Sequence, residues 1–377
     1  MREQEFIQSS NSVVKINVDA IEHNLDVLSK MASDRCQLMP VIKSDAYGHG
    51  MVEVARRLQR KPIWGLGIYE IEEAEHLRKH GITCPIFLLS GLLGADAERV
   101  LGLDVTVGVV SVEEIKKLNH KASGLGKKIT VHVKLDTGMS RFGMTPEEVI
   151  WLSKNIRLFK NIDFEGLFSH LACADTPDAF ANKRQIGLFN EVIREVKDTG
   201  WHPRFLHIAN SAAFVFLKGS RFNLARPGIA LYGGLEEPST GGIYSGLRQA
   251  MSFCSRIVHL RRLPRGAHVS YGHTFRADAP MEIALVPVGY DNGYPRALSN
   301  RADVLIKGKR CQVVGNICMK TTVVNVTNIG CKIGDQVVIM GESGRQAISA
   351  VELARDASTI SYEILCNIGK LNRRIFL

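Results

Sequence analysis

The sequence predicts an α/β protein in which a (β/α)8 barrel of the TIM type is followed by a mainly β domain. Up to about residue 235, short apolar strands alternate with amphipathic helices in eight βα-like repeats, the pattern of such a barrel. Residues 236–246, EEPSTGGIYSG, are rich in proline, glycine and serine, which is typical of a linker. Beyond them, strand-like segments are separated by turn signals and have no long helices between them, which indicates a β domain.

The predicted elements follow in a regular order. Barrel strands are expected at 38–43, 63–68, 85–89, 103–107, 129–135, 164–170, 205–209 and 228–232. Helices between most of them are expected at 51–60, 70–80, 111–121, 145–155 and 180–199. The later strands are expected at 252–263, 281–288, 303–314, 321–327 and 335–340. The pattern predicts a barrel domain at 1–240 and a β domain at 241–377, with residues 1–20 as candidates for pairing with the β domain.

The composition is that of a soluble enzyme. A chain of 377 residues that is 45% hydrophobic can bury a large core. No apolar run is long enough to cross a bilayer and the N-terminus lacks a signal-peptide core, so we expect a cytoplasmic location. The eight cysteines are scattered without metal-binding spacing, which indicates reduced thiols. The net charge of +10 is spread along the chain, so we expect attraction of small anions and no nucleic-acid or membrane partner.

Polar side chains follow most of the predicted barrel strands. They are Lys43, the run 134–141, His170, the run 207–211 and the run 226–228 at the eighth strand. Because chemistry in such barrels takes place at the C-terminal ends of the strands, the pattern predicts one shared site.

Lys43 is the most informative of these residues. It ends the apolar run of LMPVIKSDAYGHG (38–50), and partial burial at a strand end favours the neutral amine that forms an imine with an aldehyde cofactor. The glycines that follow let the backbone approach an anion, and the Tyr47 hydroxyl can donate to a phosphate. From these residues alone, a nucleotide or a sugar phosphate would fit equally well. The alternative interpretation is that Lys43 is a solvated lysine at the start of a loop.

Eight motifs in order carry a family resemblance. They are VIKSDAYGHG, KLDTGMSRFG (134–143), HIANSAA (207–213), ARPGIALYG (225–233), VSYGHTF (269–275), VGYDNGYPR (288–296), GNICMK (315–320) and SYEILCNI (361–368). In this order and spacing the chain resembles the bacterial alanine racemases over essentially its whole length. The resemblance implies a homodimer that uses pyridoxal 5'-phosphate (PLP) to interconvert L- and D-alanine, the latter for peptidoglycan. It also implies that each active site combines the barrel of one subunit with the β domain of the other.

The resemblance implies a two-base mechanism. Lys43 matches the family's Schiff-base lysine, which also serves as the base on one face of the substrate Cα, and Tyr271 of the partner subunit matches the base on the opposite face. His170 matches the histidine that hydrogen-bonds this tyrosine. Arg226 matches the arginine at the pyridine nitrogen, where many PLP enzymes have a carboxylate. An arginine does not give its proton to the ring nitrogen, which disfavours transamination. Its presence also argues against the related barrel-type amino-acid decarboxylases, which use a carboxylate at that nitrogen.

The remaining site residues are also implied by the matching motifs. Those matched to the phosphate are Tyr47, Ser211, Gly228, Ile229 and Tyr362, and His207 is a further cofactor-binding residue. Arg141 matches the arginine at the cofactor's phenolic oxygen and the substrate carboxylate, and Met319 and Tyr290 are assigned to the substrate. Lys134 matches a lysine that family members often carry as a carbamate, and an ordinary barrel lysine is the alternative.

The chain departs from the family pattern in one region. Asn316 stands where arginine is usual and Lys320 where aspartate is usual, and the exchange of aspartate for lysine changes the local charge by two units. Asp291-Asn292 replaces Ala-Asp. These departures leave open a broad-specificity or serine-preferring racemase on the same scaffold. A non-catalytic PLP-binding protein would resemble the barrel alone, so the β domain and Tyr271 count against it. The sequence also argues against a metal-dependent barrel hydrolase, because it has no strand-end H-x-H motif and no clustered carboxylates.

Overall fold

The computed structural model of the chain describes residues 12–33, 35–92 and 97–377. The chain divides into two compact units. The strand-rich unit comprises the described residues 12–24, together with Tyr47–Gly50 and Tyr232–Leu377, and the barrel unit comprises residues 25–46 and 51–231. The predicted domain boundary at residue 240 stays a prediction.

Eight short strands form the core of the barrel unit. They are Gln37–Leu38, Leu66–Ile68, Ile86–Leu88, Val105–Val109, Ile129–Lys134, Ile162–Phe168, Phe205–His207 and Leu224–Ala225. The six from Leu66 to His207 pair in parallel in chain order, and the last strand pairs in parallel with the first. A parallel bridge between Val41 and Gly67 joins the first strand to the second. The barrel prediction is therefore confirmed.

One helix precedes the first of these strands, and others follow most of them. They are Val18–Met31, Met51–Leu58, Ile71–Lys79, Ala97–Leu103, Val112–Gly124, Pro146–Asn155, Phe180–Asp198 and Ser211–Phe216. Local sequence fixes their starts, as at Pro146–Asn155, where the Thr145 hydroxyl accepts from the Glu148 amide and the Glu148 carboxylate accepts from the Thr145 amide. Inside the barrel the apolar core is aromatic, with Phe87 and Phe168 packed with Phe205.

The eighth barrel strand lies elsewhere than predicted. The strand is Leu224–Ala225, and the apolar run predicted as a strand at 228–232 instead forms the 3-10 helix Ile229–Tyr232. The physical reason is twofold. Pro227 has no N–H with which to extend a strand ladder, and the amides of Gly228 and Ala230 donate to the Ser211 side chain. An apolar run by itself does not distinguish these outcomes.

The strand-rich unit contains two main sheets. The seven-stranded sheet consists of Ser12–Ile16, Met251–Arg256, Asp303–Ile306, Lys309–Gln312, Gln336–Ser343, Gln346–Ile348 and Arg374–Phe376. The three-stranded sheet consists of His259–Leu263, Met281–Val286 and Thr322–Asn325, and a hairpin pairs His268–Val269 with Phe275–Arg276. The prediction of a mainly β second domain is confirmed.

Several elements of this unit differ in detail from the prediction. The run 303–314 is two strands, because Lys307 and Gly308, with φ of 51° and 74°, form a tight turn. The run 252–263 is likewise broken between Arg256 and His259. Helices Ala350–Asp356 and Ser361–Leu371 were not predicted. The segment 236–246, predicted as a linker, contains an antiparallel bridge between Glu236 and Ile243.

Within the described ranges no helix is long and apolar enough to cross a membrane. All eight cysteines lie in these ranges, and each is a free thiol.

Candidate active site

Lys43 opens a turn of left-handed backbone. It is half-buried after the first barrel strand, and its Nζ lies 5.1 Å from the centre of the Tyr69 ring. The four residues after it all have φ between 54° and 56°, namely Ser44, Asp45, Ala46 and Tyr47. Left-handed backbone costs an L-residue about 1–2 kcal/mol. Strain of this kind is concentrated at functional sites, so this turn is a candidate part of one.

Two side-chain contacts hold the turn in the barrel unit. The Ser44 amide donates to Oε1 of Glu73 at 2.6 Å, and the Met51 amide donates to Oδ1 of Asp45 at 2.7 Å. Glu73 stands in the first turn of helix Ile71–Lys79. The backbone that follows Lys43 is therefore fixed within the barrel unit.

Arg226 is buried at the end of the eighth strand, with 4% of its surface exposed. Its Nη1 donates to Nδ1 of His207 at 2.6 Å. Its Nη2 donates to the Ser169 carbonyl at 2.7 Å and lies 3.3 Å from both the Ile208 carbonyl and Nδ1 of His170. Among the described residues, no carboxylate lies within ion-pair distance of this guanidinium. Burial lowers the pKa of Arg226 to about 9, and the group stays protonated at neutral pH.

A chain of hydrogen bonds leads away from Arg226. Because an arginine only donates, Nδ1 of His207 must accept, which places the His207 proton on Nε2. That nitrogen lies 2.8 Å from Nδ1 of His132, whose Nε2 lies 3.1 Å from Oε2 of Glu165. Burial is the main cause that lowers the pKa of both histidines, so both are neutral and every proton points toward Glu165. The arginine is thereby fixed in place by neutral partners.

Four cations gather around His170. Burial, followed by the positive charges of Arg226, Lys134, Arg141 and Lys43, holds the pKa of His170 well below its usual range. These four residues come from three strand ends, because Lys134 and Arg141 both follow the strand Ile129–Lys134. A cluster with this excess of positive charge is suited to a ligand that carries anionic groups.

Lys134 lies at the end of its strand with 8% of its surface exposed. Its Nζ lies 5.4 Å from the ring centre of Phe142 and 5.5 Å from that of Phe168. Burial, and then the charges of Arg226 and Arg141, lower the pKa of Lys134 to about 8. A substantial fraction of its amine is therefore neutral near physiological pH.

Arg141 is exposed on the loop that follows Lys134. The Asp136 carboxylate organises this loop by accepting from three successive amides, those of Gly138, Met139 and Ser140. A bridge between Leu135 and Met144 closes the loop on the strand end. The guanidinium of Arg141 is thus presented from a loop with a defined backbone.

Ser211 brings together backbone donors. Its Oγ accepts from the amides of Gly228 at 2.8 Å and Ala230 at 3.2 Å, and Ser211 itself begins a helix capped by Asn210. Gly228 and Ile229 are buried beside it. Because the hydroxyl accepts twice here, its own proton is directed away from the two amides. This arrangement offers hydrogen-bond donors to a phosphate.

The two other predicted phosphate residues lie in the strand-rich unit. Tyr47 is buried, with its ring centre 5.0 Å from that of Tyr232 and 5.7 Å from that of Tyr362. Tyr362 stands in the first turn of helix Ser361–Leu371. The aromatic packing thus brings Tyr47 and Tyr362 side by side.

The predicted residues of the β domain form a second group in this unit. Tyr271, Tyr290 and Met319 have 72%, 41% and 57% of their surfaces exposed. The loops of Tyr290 and Met319 are joined by a backbone bond, in which the Tyr290 amide donates to the Cys318 carbonyl at 3.1 Å. The approach requires Gly289, at which a Cβ would lie 2.0 Å from that carbonyl oxygen. Three large side chains are therefore exposed on loops of the strand-rich unit.

The departures from the family pattern contact one another or Tyr271. The Lys320 ammonium forms an ion pair with the Asp291 carboxylate, and both side chains are at least half exposed. The Asn316 side chain donates to the Tyr271 carbonyl at 2.7 Å. The Lys320 ammonium therefore faces an opposite charge at Asp291.

Sequence reasoning missed Glu73, His132 and Glu165. His132 and Glu165 had a signal, since a charged or polar residue within an apolar barrel strand needs a buried partner. Glu73 had none, because it reads as an ordinary acidic residue in a first helical turn. Across the described part of the chain, no group of three or more histidine, cysteine, aspartate or glutamate side chains could hold a metal ion.

Comparisons with known proteins cover both units. The family described as "Alanine racemase, N-terminal domain" matches residues 16–236, and "Alanine racemase, C-terminal domain" matches residues 250–376. A relative from Caldanaerobacter subterraneus subsp. tengcongensis, alanine racemase 2, is 36% identical over 97% of this chain and 94% of its own length.

Solved structures agree with these matches. The alanine racemase of a D-cycloserine-producing Streptomyces lavendulae is 33% identical, with 98% of this chain and 97% of that chain covered and a TM-score of 0.91. The Bartonella henselae enzyme, with covalently bound pyridoxal phosphate, is 27% identical, with 98% and 100% covered and a TM-score of 0.87.

Proposed function

This chain belongs to the alanine racemase family, and on that premise we propose that it interconverts L- and D-alanine with PLP as its cofactor. The observation that carries the proposal is the gathering of Lys43, Lys134, Arg141 and Arg226 around His170. These cations suit a ligand with a phosphate and a carboxylate. The D-alanine produced would serve peptidoglycan, as the family resemblance implies.

The residues present fit PLP. Lys43 offers an amine for covalent attachment, and Arg226, held by neutral partners, offers a donor to the ring nitrogen. Donors for the phosphate are proposed from Tyr47, Ser211, Gly228, Ile229 and Tyr362, and His207 supports Arg226. When bound, PLP supplies an electron sink that weakens the Cα–H bond of an amino acid. Because Arg226 keeps its proton, it positions the ring without strengthening that sink.

Two residues are proposed to move the proton. Lys43 acts on one face of Cα, and Tyr271 from a second subunit acts on the other. His170 is neutral, and its Nδ1 lies 3.3 Å from the Arg226 donor, so its own proton is expected on Nε2. From that position the imidazole can donate to the Tyr271 oxygen and stabilise the phenolate. Arg141, Tyr290 and the Met319 amide are proposed to hold the substrate.

Lys134 is proposed to carry a carbamate. A pKa of about 8 leaves enough neutral amine to react with carbon dioxide, which an ordinary exposed lysine does less readily. The carbamate would place a negative charge beside Arg141 and orient its guanidinium.

We further propose a homodimer in which each site takes Tyr271, Tyr290 and Met319 from the partner. The exposure of these three side chains supports this assembly. Mixing inactive Lys43→Ala subunits with inactive Tyr271→Phe subunits should regenerate activity, because one of the two sites in a heterodimer would contain both bases. At full exchange, about a quarter of the wild-type activity is expected, which a racemisation assay after mixing would measure. Absence of recovery despite proven subunit exchange would place both bases in one chain.

The alternative to a preference for alanine is a broader or serine-preferring substrate range on the same scaffold. Racemisation rates over a panel of L-amino acids decide between them, and a protein that binds PLP but racemises none of them would be a non-catalytic binder. Alanine is expected to react fastest.

The preference of the enzyme between basic and acidic substrates should depend on Lys320 only weakly. Lys320→Asp removes the ion pair and places two carboxylates together, which should favour lysine or arginine over acidic substrates. Between exposed charges the effect is about 1 kcal/mol or less, so kcat/KM ratios should shift several-fold at most and should shift less at high salt. Lys320→Gln, which removes only one charge, should give a smaller shift. An unchanged profile at low ionic strength would mean that the pair points away from the substrate path.

A further inference from the structure

The backbone that carries Tyr271 has an unusual conformation. Ser270, Gly272 and His273 have φ of 63°, 70° and 52°, so three of four successive residues lie in the positive region. Non-glycine residues adopt this region only when their surroundings hold them there. The Tyr271 side chain is 72% exposed and so does not anchor the turn by its own packing.

A pair of reciprocal hydrogen bonds holds this turn. The Asn316 side-chain amide donates to the Tyr271 carbonyl at 2.7 Å, and the Ser270 hydroxyl donates to the Asn316 carbonyl at 2.5 Å. The turn is thereby tied to the loop 315–318 on both sides of Tyr271. A Cβ on Gly272 would lie 3.4 Å from Nδ2 of Asn316, so the side-chain amide also packs against the turn.

The loop that carries Asn316 is itself fixed. The Gly315 amide donates to Oδ1 of Asn300 at 2.5 Å, and the Ile317 amide donates to the Ser299 hydroxyl at 2.9 Å. Asn316 therefore acts from a rigid support and can transmit that rigidity to the Tyr271 backbone.

We infer that Asn316 is the positioning residue of Tyr271, which sets where the exposed phenol stands relative to the substrate. This inference rests on the proposed role of Tyr271 as a base. Asn316 stands where the family resemblance leads us to expect arginine, so this chain fixes the turn with its own residue. Because proton transfer requires a heavy-atom distance of about 2.6–3.2 Å, a small loss of placement lowers the rate strongly.

The test compares Asn316→Ala and Asn316→Asp. Both remove the amide donor, but only the second adds charge, so an effect shared by both reports the hydrogen bond. We expect kcat to fall about tenfold or more, with little change in KM. The deuterium isotope effect at Cα should rise for the enantiomer whose proton Tyr271 removes and should not rise for the other. Hydrogen exchange should quicken in residues 269–274 while the thermal midpoint stays within a few degrees.

The matched controls are Asn190→Ala and Asn190→Asp, on an exposed helical asparagine whose side-chain amide donates to the Ile186 carbonyl. They should leave kcat, the isotope effects and exchange in 269–274 unchanged. Normal kcat and normal exchange in the Asn316 variants would overturn the inference, as would equal isotope effects in both directions. If Tyr271→Phe is itself fully active, the proposed function of Tyr271 fails first. An inactive Tyr271→Phe with unaffected Asn316 variants refutes the positioning role alone.

Discussion

Replacement of Lys43 by alanine is expected to abolish racemisation of alanine in both directions. The amine is proposed both to attach the cofactor and to act as one of the two bases. Loss of a base alone costs about 10²- to 10⁴-fold, and loss of the attachment adds to it. The wild-type protein should absorb in the visible after addition of PLP, and reduction with borohydride should fix the cofactor on Lys43, as peptide mapping by mass spectrometry would show.

Lys116→Ala is the matched control, because Lys116 lies exposed on a helix 3.7 Å from the Glu113 carboxylate. Such a surface pair contributes little, and activity and absorbance should be unchanged. A wild-type protein that stays colourless in the presence of PLP would refute the cofactor assignment. Activity in Lys43→Ala would refute the role of this lysine.

Replacement of Tyr271 by phenylalanine should have the second largest effect. The ring is retained and only the hydroxyl is lost, so the exposed turn should keep its structure. Because the phenolic oxygen is proposed to transfer the proton on one face of Cα, racemisation should fall by about 10²- to 10⁴-fold while PLP binding is retained. Racemisation assays and visible absorbance would measure the two properties separately.

The same change at Tyr244, which is half-buried in the strand-rich unit, serves as the control and should leave the rate near normal. Solvent deuterium incorporation adds a directional test. Tyr271→Phe should still exchange the proton of the enantiomer served by Lys43, whereas exchange from the other should be lost. Near-normal rates in both directions would contradict the two-base assignment.

The barrel was predictable because its signals are local and repeat. Alternating apolar strands and amphipathic helices recur eight times, and parallel pairing follows from that order. The eighth strand was misplaced because a contact with a residue distant in sequence determines the conformation of residues 228–232. The Ser211 side chain takes up the amides of Gly228 and Ala230, and this contact lies about 17 residues away in sequence. The split of 303–314 depended on turn chemistry at Lys307-Gly308.

The sequence could nominate residues for the candidate site but not the contacts between them. Motifs identified Lys43, Arg226 and Ser211, each at a strand end. The sequence could not show that His207 bonds to His132 and that His132 bonds to Glu165, since these contacts join different strands. It also could not show that Lys320 forms an ion pair with Asp291.

The left-handed turn after Lys43 makes the reactivity of this lysine depend on folding. Isolated L-residues avoid that handedness, so a short peptide of the same sequence would not adopt the turn, and its lysine would behave like any other. The turn needs Glu73 to accept from Ser44 and Asp45 to accept from Met51, and the Glu73 contact spans 29 residues of chain. The conformation of the turn therefore depends on the packing of the second strand and its helix. Selective reaction of an aldehyde at Lys43 is thus expected to be a property of the folded barrel unit and not of the local sequence.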